Sequence, residues 1–437
     1  MDKEGNRTVM KIRGALVGIL CELDPSYRDY IVEERGQQVV YTHITKALYG
    51  LLVSAMLFYK RLRSDLEEYG FVVNPYDPCV ANKMVEGKQL TVSWHVDDLK
   101  ASHMNSKVID QFIQWVKDTY GSIGEVKTTR GKVHDYLGMK LDYSVPGQVK
   151  IDMVDYVDTM IEAFPQECLR GSAVASPWND NLFKVQEKSP LLSKQGSEQF
   201  HTTTAQGLFL CKRARPDIAP AIAYLTTRVR APNQDDLGKL IRLMKWLKQT
   251  RKDCLTLKSD GERVGKWHVD ASFAVHPDYR SHTGAGFSLG KGNISSISRK
   301  QGMNTRSSTE AEVVAADEVV GPMLWTRLFL EAQGYPLKDN ILYQDNQSAM
   351  LLETNGRKSA GKRSRHLNIR YFFVADQQAK GHISIKYCPT DEMLGDYFTK
   401  PTHGTKFKGF REEIMNLPTA AQLMMLGCMN AIPAAVA

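Results

Sequence analysis

The sequence predicts an α+β chain that ends in a mixed β-sheet flanked by helices. Three observations predict it. From residue 254, four short runs follow one another with Gly or Pro turns between them: CLTLKSD, WHVDASFAV, TGAGFSLG and ISSISRKQ. Beyond them, helical and extended patterns alternate to about residue 411. Before them, residues 201–250 read as helical, with breaks at Pro216, Pro220 and Pro232.

Taken in order, VVYTHITK (39–46) reads as a strand. In residues 47–69, Leu48, Leu51, Leu52, Ala55, Phe58, Tyr59, Leu62 and Leu66 recur at helical spacing, and Gly70 ends that helix. Residues 78–84 and 89–96 are two strands around a Glu86-Gly87 turn. Asp97 and Asp98 follow at once, in the string SWHVDDLK. Residues 106–119 are helical, 125–128 and 133–143 extended, and 152–164 helical. Over 166–200 the periodicity is lost, and Pro165, Gly171, Pro177, Pro190 and Gly196 punctuate a linker. After the four short strands come a helix (TEAEVVAADEVVGPMLWTRLFLEAQG), the strand ILYQD, the helix NQSAMLLETN and the helix RHLNIRYFFVADQQAKG. The strand ISIKYC and a last helix from Thr390 complete the pattern. This rhythm divides the chain at 1–165, 166–253, 254–411 and a tail, 412–437. No internal repeat is visible.

Composition narrows the function classes. The 437 residues are 42% hydrophobic and 24% charged, which suits folded domains and argues against a disordered chain. The net charge of +8 permits a polyanionic partner. The seven cysteines are scattered with no CxxC pair, which argues against a zinc site or disulfide framework and fits a reducing, intracellular compartment, cytoplasm or nucleus. The start, MDKEGNRTVM, is no signal peptide. The tail TAAQLMMLGCMNAIPAAVA carries Gln422, Gly427, Asn430 and Pro433, and reads as a docking or loosely ordered tail rather than a membrane span.

Four acids fall at informative places. Asp270 lies in the strand after the 261–265 turn, and Glu312 in the first turns of the long helix. Asp345 ends ILYQD, and Asp396 sits early in the last helix. Strand ends and helix starts gather at one edge of such a sheet, so the four carboxylates are expected to cluster. Such a cluster repels itself until cations bind. Mg²⁺ suits an all-oxygen ligand set, and two such ions can drive in-line hydrolysis of a phosphodiester.

The strings WHVDASFAVHPDYRSHTGAGFSLG, SRKQGMNTRSSTEAEVVAADE, ILYQDNQSAM, RHLNIRYFF and YCPTDEMLGDYFTKP together resemble the ribonuclease H domain of copia-type retrotransposon Pol polyproteins. That family has one metal-binding acid in each of the first-strand, SSTEAE, DN and terminal DxxTK motifs. The resemblance therefore implies Asp270, Glu312, Asp345 and Asp396 as the catalytic and metal-holding set, with two Mg²⁺ ions. Glu310 competes for the third motif, but two residues apart on a helix point different ways. Glu312 is chosen because the apolar run Val313-Val314-Ala315-Ala316 follows it, as in the family. Arg306, Ser307, Ser308 and Thr309 precede the helix and suit a phosphate or a simple cap. The basic run Lys358, Lys362, Arg363, Arg365, His366 and Arg370 is assigned to an RNA–DNA hybrid partner. His366 is read as a core or hybrid-facing residue.

The first half resembles the family's reverse transcriptase. TKALYGLLVSAMLFYKRL, NPYDPCVANK, HVDDL and DYLGMKLDY carry that likeness, and KRARPDIAPAIAYLTTRV with LMKWLKQT resembles the helical connection. The resemblance implies a partial palm and fingers, with Asp97 and Asp98 as a polymerase metal-site remnant. His95 stands where the family has Tyr, which bears on the fit of primer or nucleotide. The family's further aspartate precedes the stretch matching VMKIRGALVGIL, and neither Asp2 nor Asp24 substitutes for it. The expectation is thus a truncated Pol fragment that hydrolyses the RNA of hybrids and does not polymerise. The alternatives are a non-catalytic nucleic-acid-binding remnant, or an RNA-directed DNA polymerase if the missing segment is supplied.

Overall fold

A computed structural model describes residues 9–44, 52–122, 124–356 and 368–418. The chain divides into two compact units, Met1–Val73 with Pro78–Ile109, and Asn74–Asp77 with Asp110–Ala437.

In the first unit, β1 (Val9–Arg13), α1 (Ala15–Leu23), β2 (Ile31–Glu34) and β3 (Gln37–His43) form an antiparallel sheet in the order β1-β3-β2. Val17 and Cys21 of α1 pack on Val40. Then come α2 (Leu52–Glu68), β4 (Val72–Val73), β5 (Val80–Val85), β6 (Lys88–His95) and β7 (Asp98–Ser102), the strands lying side by side in chain order. Residues 47–51 of the expected helix lie outside the described residues. On β6, Leu90, Val92 and Trp94 are buried while the residues between them face away, the period of a half-buried strand. Glu86 and Gly87 both have positive φ, the turn a two-residue hairpin requires.

In the chain after that, α3 (Ser106–Tyr120) carries the boundary between units, and β8 (Val133–Tyr136), β9 (Met139–Asp142), β10 (Gln148–Asp152), α4 (Val154–Ala163), α5 (Lys194–Arg213), α6 (Ala219–Arg228) and α7 (Gln234–Gln249) follow. Next are β11 (Leu255–Ser259), β12 (Val264–Ser272), β13 (His282–Ser288), β14 (Gly290–Lys291), β15 (Ser295–Lys300), α8 (Ser308–Ala332), β16 (Asp339–Gln344) and α9 (Gln347–Asn355). The described chain closes with α10 (Asn368–Ala379), β17 (Ser384–Tyr387), α11 (Asp396–Thr399) and α12 (Gly404–Met415).

Several expectations are corrected here. Residues 125–128 form no strand, and 133–143 is a hairpin folded at Leu137-Gly138, both of positive φ. The run CLTLKSD does not join the C-terminal sheet. As β11 it pairs with β10 and β14 in a separate sheet, β14-β11-β10-β9-β8. Its alternating pattern fixed its type but not its partner. The linker 166–200 is a packed segment: Leu169, Trp178, Leu182 and Phe183 are buried in the largest core, beside Phe407 and Ile414 of α12. Bulky apolar side chains held it despite its prolines. The last helix starts at Asp396 rather than Thr390 and breaks before α12. Residues 412–415, assigned to the tail, complete α12, with Ile414 and Met415 fully buried.

The second sheet of this unit runs β15-β13-β12-β16-β17. β12, β13 and β15 are antiparallel neighbours, while β12, β16 and β17 run parallel. This matches the expected mixed sheet. Helix α8 lies on it through Ala311, Ala315, Val319, Val320 and Met323, whose small first members allow close approach to Trp267, Val269 and Phe287.

A buried ion network ties α12 to the helical region. Arg215 donates from Nε and Nη2 to the two oxygens of Asp217, each at 2.8 Å. Arg411 of α12 donates to the same carboxylate at 2.8 Å, and the Tyr397 hydroxyl donates to the Asp217 carbonyl at 2.8 Å. Asp217 is fully buried. Although burial opposes its charge, the two guanidiniums hold its carboxyl well below the usual range.

Candidate metal centre

The site follows from strand register. On parallel strands β12 and β16, His268 pairs with Tyr343, and their rings stack at 4.8 Å. Asp270 and Asp345 each lie two residues beyond that pair, so both reach the carboxyl edge of the sheet side by side. Glu312 comes from the first turns of α8. One carboxylate oxygen from each of Asp270, Glu312 and Asp345 lies within 4.8 Å of the others. It is the one such set of three potential metal-binding side chains among the described residues.

Two glycines let α11 reach this edge. Gly284, opposite Asp270 on β13, would place a Cβ 2.5 Å from Thr399 Cγ2 and 2.8 Å from the Gly395 carbonyl. A Cβ on Gly395 would lie 2.8 Å from the Asp270 amide. Because neither is present, Thr399 donates its hydroxyl to the Asp270 carboxylate. Asp396 is buried at the same edge but is not in the three-acid set. Its two oxygens accept from Lys400 and Lys406, the latter at 2.9 Å.

The electrostatics are those of crowded, dry carboxylates. Burial pushes Asp270 up to about 6; Lys400 opposes this, and Asp396 and Asp345 add to it. Burial, then the charges of Asp270 and Asp345, raise Glu312 well above its usual value, although the Ala271 amide hydrogen-bonds to it. Glu312 Oε2 is buried with no hydrogen-bond partner. At Asp396 burial works against the charge, yet Lys400 and Lys406 hold its carboxyl below the usual range. Three converging carboxylates with an orphaned buried oxygen fit a hard divalent cation such as Mg²⁺.

The remaining predicted residues separate. Asp97 and Asp98 are exposed at the β6–β7 hairpin, where Val96 has positive φ and His95 pairs with Asp98. No third metal-binding side chain joins them among the described residues. Ser307 is the N-cap of α8 and accepts the Glu310 amide, while Glu310 accepts the Arg306 amide. Glu310 thus closes the helix start and Glu312 turns inward. Ser307→Ala is expected to cost about 1 kcal/mol, the usual value of a lost cap, measured by thermal denaturation. Arg306 and Ser308 are exposed. Arg370 pairs with Asp317 of α8. Lys358, Lys362, Arg363, Arg365 and His366 lie outside the described residues, as does the tail from 419.

Sequence reasoning assigned no role to Thr399, Lys400 or Lys406. The signal for the first two was the Thr-Lys pair within one helical turn of Asp396, at i+3 and i+4; Lys406, ten residues on, gave none. It also missed Glu353 on α9, fully buried with neither carboxylate oxygen hydrogen-bonded. Burial pushes this carboxyl up to about 8. A carboxyl raised by folding weakens the fold as pH climbs from the ordinary value of about 4.5 through the folded one, by up to about 1.4 kcal/mol per pH unit. Glu353→Gln should flatten that loss, read from denaturation curves between pH 5 and pH 8.

No family model matches the chain. It is 24% identical over 387 residues to the retrovirus-related Pol polyprotein from transposon TNT 1-94 of Nicotiana tabacum, covering 87% of the chain and 28% of that protein. It is 26% identical over 379 residues to the corresponding polyprotein from transposon RE1 of Arabidopsis thaliana, covering 85% of the chain and 25% of that protein. A transposon Ty5-1 protein of Saccharomyces cerevisiae is 25% identical over 301 residues, 66% of the chain and 91% of that protein. The chain thus spans about a quarter of the length of the Pol polyproteins it matches. A solved foamy virus protease–reverse transcriptase aligns over 90% of this chain and 64% of its own at 13% identity and a TM-score of 0.22, a likeness too slight to bear on the fold. No described helix is long and apolar enough to cross a membrane.

Proposed function

We propose that this chain, which resembles retrotransposon Pol polyproteins over most of its length, is a Pol-derived fragment with a Mg²⁺-dependent nuclease site. Its substrate is the RNA strand of an RNA–DNA hybrid. One observation carries the reading: three carboxylates from β12, α8 and the end of β16 converge at one edge of the mixed sheet, one of them with an orphaned buried oxygen. The ribonuclease H resemblance of the same strings selects the reaction class.

Asp270, Glu312 and Asp345 would hold the cation. When bound, Mg²⁺ supplies Lewis-acid stabilisation of charge on the phosphodiester oxygens. The Thr399 hydroxyl fixes the rotamer of Asp270. Thr390 donates to Asp345 Oδ2 at 3.0 Å and orients it. Burial, and then the charges of Asp270 and Asp345, disfavour the charged form of Glu312, a repulsion that a divalent cation would offset. The basic run 358–370 would meet the hybrid's phosphates.

A second reading, nucleic-acid binding without turnover, is favoured by one observation: Asp396, the fourth acid of the family's set, is held by two ammonium groups. Polymerisation at Asp97 and Asp98 would need a further carboxylate supplied to that hairpin. The purified chain incubated with strand-labelled hybrid, in Mg²⁺ and in EDTA, decides between the first two. Shortening of the RNA strand in Mg²⁺ alone supports the nuclease. A mobility shift with intact RNA supports binding alone.

A further inference from the structure

The expectation of two ions held by four acids does not fit the charges that surround Asp396. Both of its oxygens are taken. Lys400 bonds Oδ1, and Lys406 bonds Oδ2 at 2.9 Å. Lys406 is anchored a second time, donating to the Thr390 carbonyl at 3.1 Å. Lys400 lies one helical turn from Asp396, so the backbone of α11 delivers it to this place. It reaches past Asp396 to Asp270 Oδ2 at 3.4 Å, the oxygen that already accepts from Thr399.

We propose, resting on the nuclease reading above, that the site takes a single divalent cation and that the Lys400 ammonium supplies the second positive charge. The cation sits among Asp270, Glu312 and Asp345. Asp396 is the counter-ion that holds Lys400 at the edge of the site.

Charge balance points the same way. Four carboxylates against two ammoniums leave two negative charges, which one divalent ion neutralises. A second divalent ion would leave two positive charges in excess among these side chains, before substrate arrives. At low dielectric that crowding is expensive, and it selects against the second ion or expels a lysine. The Lys400 side chain stays 46% exposed, so its ammonium is open to a phosphate on the solvent side while its stem is packed.

The test is metal stoichiometry on the full chain. Metal-free protein is titrated with Mn²⁺, with free ion read by electron paramagnetic resonance and binding by calorimetry. The parent is expected to bind one ion tightly. Lys400→Met and Lys400→Gln are expected to bind two, and Lys400→Arg one. Two ions of similar affinity in the parent, or one ion in both neutral variants that keep their circular dichroism spectrum, would overturn the inference while leaving the nuclease reading intact. No tight ion in the parent would remove both.

Discussion

Glu312→Gln is expected to lower cleavage of an RNA–DNA hybrid by at least ~100-fold without weakening the metal-free protein. Removing a group that only supports a metal ligand typically costs ~10–100-fold in affinity or activity, so losing a ligand itself should cost more. Burial and the charges of Asp270 and Asp345 hold the Glu312 carboxyl well above its usual value. Without metal the fold thus disfavours the charged form, and the amide matches the protonated acid in shape and charge. A carboxyl raised by folding weakens the fold progressively as pH rises above the ordinary carboxylate range. The variant should then equal the parent at low pH and gain on it as pH rises, when melting is followed in EDTA. Adding Mg²⁺ should stabilise the parent and not the variant. Full cleavage by the variant would remove Glu312 from the metal set.

Asp217→Ala should be the most destabilising single substitution outside the hydrophobic cores, at about 3–5 kcal/mol, because it strands buried guanidiniums. Arg215 is itself only 1% exposed, and its Nε and one amino group face Asp217 at 2.8 Å. Arg411 keeps Asp253, at 2.6 Å, and Arg215 keeps the Thr250 oxygens, so neither is wholly without an acceptor. The pH dependence has a definite sign. A carboxyl lowered by folding contributes its full stability above about pH 4 and loses it as pH falls toward the folded value. The variant should lose that part of the parent's acid sensitivity. Urea denaturation at pH 7 and pH 3 measures both effects, and a loss under ~1 kcal/mol at pH 7 would show that the arginines find other partners.

Much of the acid cluster was legible because strand ends and helix starts are local signals. ILYQD ends where its apolar run ends, and the RSSTE string caps α8 at Ser307, so Asp345 and Glu312 could be placed without knowing the fold. Two things were not local. The pairing of CLTLKSD with β10 depends on a strand more than a hundred residues upstream, and alternation carries no information about a partner. The lysines on Asp396 were hidden for a different reason. A Lys at i+4 from an Asp is usually a solvated surface pair. Only the missing side chains of Gly284 and Gly395, which draw α11 against β12 and β13, turn that pair inward toward Asp270. The Asp97-Asp98 string illustrates the converse. The string sits at a formed hairpin, yet a pair of carboxylates at an exposed turn gains no third ligand from the described residues.

The most direct measurement compares the parent with Asp270→Asn at equal concentration, on a hybrid labelled in its RNA strand and in Mg²⁺. RNA-strand cleavage by the parent, none on a matched DNA duplex, and a loss of at least ~100-fold in the variant are the expected result. An intact RNA strand with the parent, or equal cleavage by both proteins, would contradict it.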